Sequence, residues 1–311
     1  MELIGRLGRR LVRHVKRDDA FGLSAELSYR FFLAVFPFAI FLASLGGFVA
    51  SQLDIEGPAE QAIEELEGVL PENVSNLVLQ ELQAVIENQQ TGLLSFAAIS
   101  ALFFATGGVN ALIKALNRTF SVGETRPFWR RYLLALRLTV LAGAGVISAL
   151  VLLIGGEFIG SGLAAEMGLD YESWGALTIL RWPVAVVLLA IAVTILYRLA
   201  PNIRIPFRWV IPGAALFTLG WLMATWAFGQ YVTNFAEYGA TYGALAGVAT
   251  ILIWFYMSSF LLLLGGALNA SLMRIVDRRT FERLRRPKLQ DAYASAADGL
   301  PSRAVRRRVR A

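Results

Sequence analysis

The chain has 311 residues, 56% of them apolar, a mean hydropathy of +0.56 and a formal charge of +6. It contains no cysteine and one histidine, His14, which excludes disulfides, thiolate metal centres, cysteine nucleophiles and zinc sites built from clustered His and Cys. Its apolar residues fall into six long runs that lack the polar repeat of a helix facing water, so the chain reads as an all-α polytopic membrane protein.

Residues 1–30 come first, as a basic segment in which Leu3, Leu7, Leu11 and Val15 recur every four residues with arginines on the other faces. That is the pattern of an amphipathic helix lying in the headgroup layer; a solvated charged helix is the alternative. The first run, Phe31–Ala50, is about as long as a helix needs to cross a ~30 Å hydrocarbon layer, and it is read as a retained span rather than a cleaved signal. Pro37 interrupts it and predicts a kink. Between residues 51 and 92, Pro58 and Pro71 each stand where a helix could start, and two apolar stripes follow them, predicting a small helical extracytoplasmic cap. Five further runs follow: Leu93–Leu116, Leu133–Gly156, Leu177–Leu199, Trp209–Phe228 and Gly243–Leu268. The expected organisation is a basic segment 1–30, a six-helix membrane domain 31–275 and a basic, largely disordered tail 276–311.

The connections alternate in charge. The first 30 residues hold seven basic residues, and the 51–92 connection holds nine acids and no Lys or Arg. The second connection carries Arg118, Arg126, Arg130 and Arg131, the third has four acids and no base, and the fourth carries Arg198, Arg204 and Arg208. The tail beyond Asn269 has twelve basic residues against four acids. Six spans with both termini in the cytoplasm satisfy this alternation at every connection. The positive charge then reads as topogenic and as contact with anionic lipid headgroups, so membrane lipids are the expected partners and nucleic acid is not.

Ionisable groups inside apolar runs are costly and therefore informative. Glu26 and Arg30, four apart at the start of the first span, share one helical face as a candidate ion pair. Lys114, Arg137, Glu157, Arg181 and Arg198 sit near span ends, where anchoring is the simpler reading. Among neutral polar groups, Tyr29, Asn110, Asn117, Tyr231, Asn234, Tyr238 and Tyr242 are candidates; a buried Asn more often bridges helices than contacts a substrate. Gly156, Gly160, Gly239, Gly243 and Gly247 permit close helix approach. No nucleophile–base pair, phosphate loop or metal box is present, so no enzyme activity, metal or cofactor is expected.

The stretch Ala25 to Pro37, Ala-Glu-Leu-Ser-Tyr-Arg-Phe-Phe-Leu-Ala-Val-Phe-Pro, resembles the first-span signature of the YihY/BrkB family of bacterial inner-membrane proteins. Ordered matches follow at Ala115-Leu116-Asn117, Arg126 to Arg131, Leu196-Tyr197-Arg198, Pro201-Asn202, Pro212-Gly213-Ala214, Tyr242-Gly243-Ala244 and Gly265 to Ala270, covering residues 20–275. The resemblance implies six spans in the cytoplasmic membrane with both ends cytoplasmic. It implies little biochemistry: members carried the mistaken label ribonuclease BN, some are linked to resistance to serum killing, and a role in moving lipids or envelope solutes has been suggested. Many members carry Glu where this chain has Ala267, so proton coupling through that position is not expected here. The residues assigned to a transport pathway or polar function are Glu26, Tyr29, Arg30, Pro37, Asn110, Asn117, Arg198, Asn202, Tyr242 and Asn269. The expected function is transport or flipping of a lipidic or anionic envelope component. The alternatives are a non-transporting scaffold for envelope integrity and, remotely, a membrane-bound ribonuclease using Asp18 and Asp19.

Overall fold

The computed structural model describes residues 17–52, 91–153, 171–234 and 244–284, together with residues 8, 11, 13 and 15. The expected cap between residues 53 and 90, the tail beyond 284 and Tyr242 lie outside the described residues, as do Glu157, Tyr238 and the side chains of Arg181 and Asn234.

The long elements are α1 (Ala20–Gln52), α2 (Thr91–Phe120), α3 (Phe128–Leu153), α4 (Tyr171–Leu199), α5 (Ile211–Asn234) and α6 (Ala244–Val276), with a short 3-10 turn at Phe207–Trp209 before α5. No strand occurs among the described residues. All six helices are long and apolar enough to span a membrane.

The ends follow local chemistry. α1 starts at Ala20 rather than at Phe31, because the Glu26–Arg30 pair stabilises its first turns instead of interrupting them. The residues expected to form a separate segment up to 30 thus divide at Asp18-Asp19. The Asp19 carboxylate caps α1 by accepting from the Gly22 N–H at 3.3 Å. α1 continues through Pro37 as one helix, with the Leu33 carbonyl deprived of its usual N–H donor. α2 closes in a Schellman motif: Val122 N–H donates to the Asn117 carbonyl, Ser121 N–H to the Arg118 carbonyl, and Ser121 takes a left-handed φ of 52°. Pro127 begins α3, accepting from the Arg130 and Arg131 amides, and Pro201 stands just past the end of α4. Pro212 is tolerated in the first turn of α5, where an N–H would lack a partner in any case.

Each helix packs on its neighbours in sequence, and α6 packs on α1, so the six form a closed ring; α2 also crosses to touch α6. Packing is unequal along the ring. From Gly108 to Phe120 every residue of α2 is buried except Lys114 and Arg118. Leu262 to Met273 of α6, Tyr197 of α4 and the first two turns of α5 join the same core with Leu27, Ile113, Leu116 and Phe120. This is the end that carries the arginine-rich connections, called here the basic end. Toward the other end burial fades, and α3 has no buried residue between Val140 and Ala149. Glycines report the same gradient. A Cβ on Gly46, Gly143, Gly145, Gly229 or Gly247 would meet nothing within 4 Å among the described residues. On Gly213 it would overlap the Gly265 carbonyl and the Asn269 amide, and on Gly265 it would overlap the Tyr197 hydroxyl and the Gly213 carbonyl. Only glycine at both positions lets the backbones of α5 and α6 touch.

Candidate functional site

Buried polar groups concentrate at the basic end, and the reason lies in helix termini: the last carbonyls of α2 and α4 and the first amides of α5 have no partner within their own helices. Asparagine can supply both a donor and an acceptor there. The Asn117 Oδ1 accepts from the Asn202 backbone N–H at 2.7 Å, while its Nδ2 donates to Glu124 at 2.9 Å. The Asn202 Nδ2 donates to the Gly123 carbonyl and to Thr125 Oγ1, each at 2.9 Å. Glu124 also accepts from the Arg126 backbone N–H and Nε, and Arg126 Nη2 reaches the Ala200 carbonyl at 2.8 Å. The α2–α3 connection is thereby strapped across the end of α4.

A second clasp joins α5 to α6. The Asn269 Oδ1 accepts from the Gly213 N–H at 2.7 Å and its Nδ2 donates to the Val210 carbonyl at 3.1 Å; the side chain is fully buried. One level away, the Tyr197 hydroxyl donates to the Leu262 carbonyl at 2.5 Å, tying α4 to α6. Arg274 Nη2 donates to the Thr119 carbonyl and to Ser121 Oγ, placing a cation on the carbonyl end of α2. Outside the spans, Arg208 pairs with Asp277 at 2.7 Å. Hydrogen bonds from Thr280, helped by the Arg208 charge, hold the Asp277 carboxyl below the usual carboxylate range.

The remaining candidates lie elsewhere. Asn110 on α2 accepts from Arg131 Nε at 2.8 Å, bridging α2 to α3. Glu26 and Arg30 form the expected pair at 2.9 Å, with side chains nearly half exposed, and the Arg30 guanidinium extends to within 4.0 Å of where a Cβ of Gly107 would sit. Tyr29 and Pro37 make no hydrogen bond that joins them to this pair; Tyr29 points outward, 60% exposed. The Arg198 guanidinium lies 3.6 Å from the centre of the Phe207 ring, a cation–π contact at the end of α4. The ten residues assigned to a pathway therefore separate: Asn117 and Asn202 come together, Asn269 forms its own clasp, Glu26–Arg30 lies on α1 beside α2, and Asn110 ties α2 to α3. Lys114 and Arg118 stand outward on that same helix.

Glu124, Arg126, Tyr197 and Arg274 were not among the residues assigned a polar function from the sequence, although Arg126 and Tyr197 fall within the family-like motifs. Glu124 and Arg126 sit in a polar connection where nothing marks a carboxylate as an acceptor hub. Tyr197 is fully buried, and the sequence marks it only as part of the Leu196-Tyr197-Arg198 match, with the polar role assigned to Arg198. A small pocket at the basic end is lined by Val15, Asp18, Leu23, Thr119, Leu263 and Ala267, and its aspartate is buried. No group of three His, Asp or Glu side chains able to hold a metal occurs among the described residues.

A closed ring of apolar helices, tied at one end by amides and arginines, defines an integral multi-pass membrane protein. The chain belongs to the family described as Virulence factor BrkB, whose family model matches residues 11–288. Among its relatives, the putative ribonuclease-like protein YfkH of Bacillus subtilis (strain 168) is 37% identical over 80% of this chain and 88% of its own length. A UPF0761 membrane protein of Pseudoalteromonas atlantica is 26% identical over 84% of each chain. The UPF0761 membrane protein IL2447 of Idiomarina loihiensis is 34% identical over 40% of this chain and 46% of its own. No solved structure matches the chain.

Proposed function

We propose that this protein moves a lipidic or anionic envelope component across the bacterial inner membrane, as a transporter or flippase-like protein whose basic end faces the cytoplasm. One observation carries the reading: the ring is packed and clasped at its basic end but loosely packed at the other, where glycines of α1, α3, α5 and α6 have no described neighbour around them. A support needs no such gradient, whereas a passage open to one side at a time does. The charge alternation of the connections supports the orientation. Reconstitution into vesicles containing tail-labelled phospholipids tests the function: the reading expects label to exchange between leaflets faster than in protein-free vesicles. It is overturned if no lipid or solute moves and Arg30→Ala fully complements a deletion strain.

A scaffold role has its own observation in favour: Asn110, Asn117, Asn202 and Asn269 all spend their side chains on ties within the protein. It expects a stable partner on copurification and tolerance of folded variants at Glu26 and Arg30. The ribonuclease-like name of the Bacillus relative raises nuclease activity. We favour a non-enzymatic role, because Asp19 serves as a helix cap and Asp18 is buried, leaving neither posed to activate water. RNA cleavage by purified protein, lost in Asp18→Asn/Asp19→Asn, would reverse this.

A further inference from the structure

The outer face of α2 carries a feature that the transport reading leaves unused. Between Gly108 and Phe120 the helix is buried on every side except at Lys114 and Arg118, which are exposed. At ~100° per residue, Gly107, Lys114 and Arg118 fall within about 40° of one another, on a single outward stripe. Its two edges are fixed by contacts. On one side Gly108 abuts the Phe31 ring of α1, whose neighbour Arg30 reaches over Gly107; on the other, Asn110 holds Arg131 of α3. The stripe is thus the floor of a shallow groove walled by α1 and α3, with cations from all three helices.

The charges in this groove are not balanced by the protein. Glu26 pairs with Arg30, but Arg131 is held by a neutral amide, and no described carboxylate pairs with Lys114, Arg118 or Arg131. The Asn110 amide engages the Arg131 guanidinium through Nε, and its Cζ lies 5.7 Å from the centre of the Phe128 ring, so its charge is met by a neutral amide and an aromatic face rather than by an anion. Cations near the hydrocarbon boundary are costly without an anion, and guanidinium and ammonium groups pair well with phosphate. Beside them Phe128 and Trp129, 67% and 59% exposed, open α3 with the aromatic surface of a membrane interface.

We infer that the α1–α2–α3 groove binds the phosphate headgroup of an anionic phospholipid, held by Lys114, Arg118 and Arg131 with Arg30 at its upper edge. The bound lipid stays with the protein and does not depend on transport: binding is read with no membrane to cross, so a protein that moves nothing can still show it, and the reverse.

Native mass spectrometry of the full chain in mild detergent, titrated with phosphatidylglycerol or with phosphatidylcholine of the same acyl chains, provides the test. Phosphatidylglycerol is expected to be retained and phosphatidylcholine not. Lys114→Ala/Arg118→Ala should weaken phosphatidylglycerol binding roughly tenfold or more, the scale of two lost cations near a lipid surface. Lys114→Arg/Arg118→Lys should bind like the parent, and so should Arg279→Ala/Arg283→Ala, which removes two exposed cations elsewhere. Single Lys114→Gln and Arg118→Gln variants keep long polar side chains, and each should give an intermediate loss even where the double variant folds poorly. The inference is overturned if the α2 variants bind within about twofold of the parent, if the Arg279/Arg283 variant loses as much, or if inorganic phosphate displaces the lipid.

Discussion

Asn269 shows what a buried amide does in this protein. Its carboxamide satisfies the Gly213 N–H and the Val210 carbonyl at the start of α5, and its side chain has no exposed surface. Asn269→Leu keeps the branched shape, with bulkier tips, but strands a buried N–H and a carbonyl, at about 1–3 kcal/mol for each group left unpaired. The expected result is a clear loss of thermal stability in detergent, whereas Asn269→Gln, which retains both polar functions on a longer arm, should recover part of it. Asn117 gives a sharper contrast, because its Nδ2 donates to Glu124. Asn117→Asp sets a second carboxylate against the first, and is expected to destabilise more than Asn117→Ala; equal losses would mean that Glu124 turns away at no cost. In the sequence Asn117 stands out as a neutral polar residue just past an apolar run, and Asn269 through the motif Gly265 to Ala270 that resembles the family's. The sequence did not reveal their partners, because those partners are backbone groups at helix ends from distant parts of the chain, and backbone amides carry no sequence signature.

At the scale of elements, apolar run length placed six helices in the right order, but it misjudged where the first begins. Glu26 and Arg30 lower hydropathy and therefore look like the end of a polar segment, yet at four-residue spacing they reinforce a helix that starts at Ala20. The last span is longer than its apolar run for a similar reason: α6 continues past Leu268 to Val276, where Arg274 finds acceptors on α2. Beyond it Asp277 accepts from the Thr280 N–H at the start of helical residues 278–284 and pairs with Arg208 beside the 3-10 turn. The carboxyl of Asp277 is held below its ordinary range, so the folded state favours its ionised form. That contribution is present above the ordinary carboxylate range and disappears as pH falls through the lowered value. Hydrogen-exchange protection across residues 278–284, corrected for the intrinsic slowing of amide exchange in acid, should therefore fall on acidification. Asp277→Asn, which cannot ionise, should show faster exchange at neutral pH and a flatter response to acid.

Across the whole molecule, the packing gradient makes a prediction that no single clasp does. A ring held equally along its length would resist enlargement of any inward or neighbour-facing glycine. Here Gly265 sits where a Cβ meets the Tyr197 hydroxyl and the Gly213 backbone, while Gly247, more than four turns earlier on the same helix, meets nothing within 4 Å among the described residues. Overpacking a tight contact costs about 1–3 kcal/mol even for one added methyl group. Gly265→Ala should accordingly lower the melting temperature in detergent, and Gly265→Leu should prevent recovery of folded protein. Gly247→Leu and Gly143→Leu should leave the melting temperature unchanged, since both sites have room and leucine favours a helix more than glycine does. The same two variants separate passage from support. If the loosely packed end admits a lipid, filling it with leucine slows leaflet exchange in vesicles while the protein remains folded. If the end is only loosely packed structure, exchange is unaffected and the space has no part in movement. A fall in stability for Gly247→Leu equal to that for Gly265→Leu would instead remove the gradient itself, and with it the principal support for a transport role.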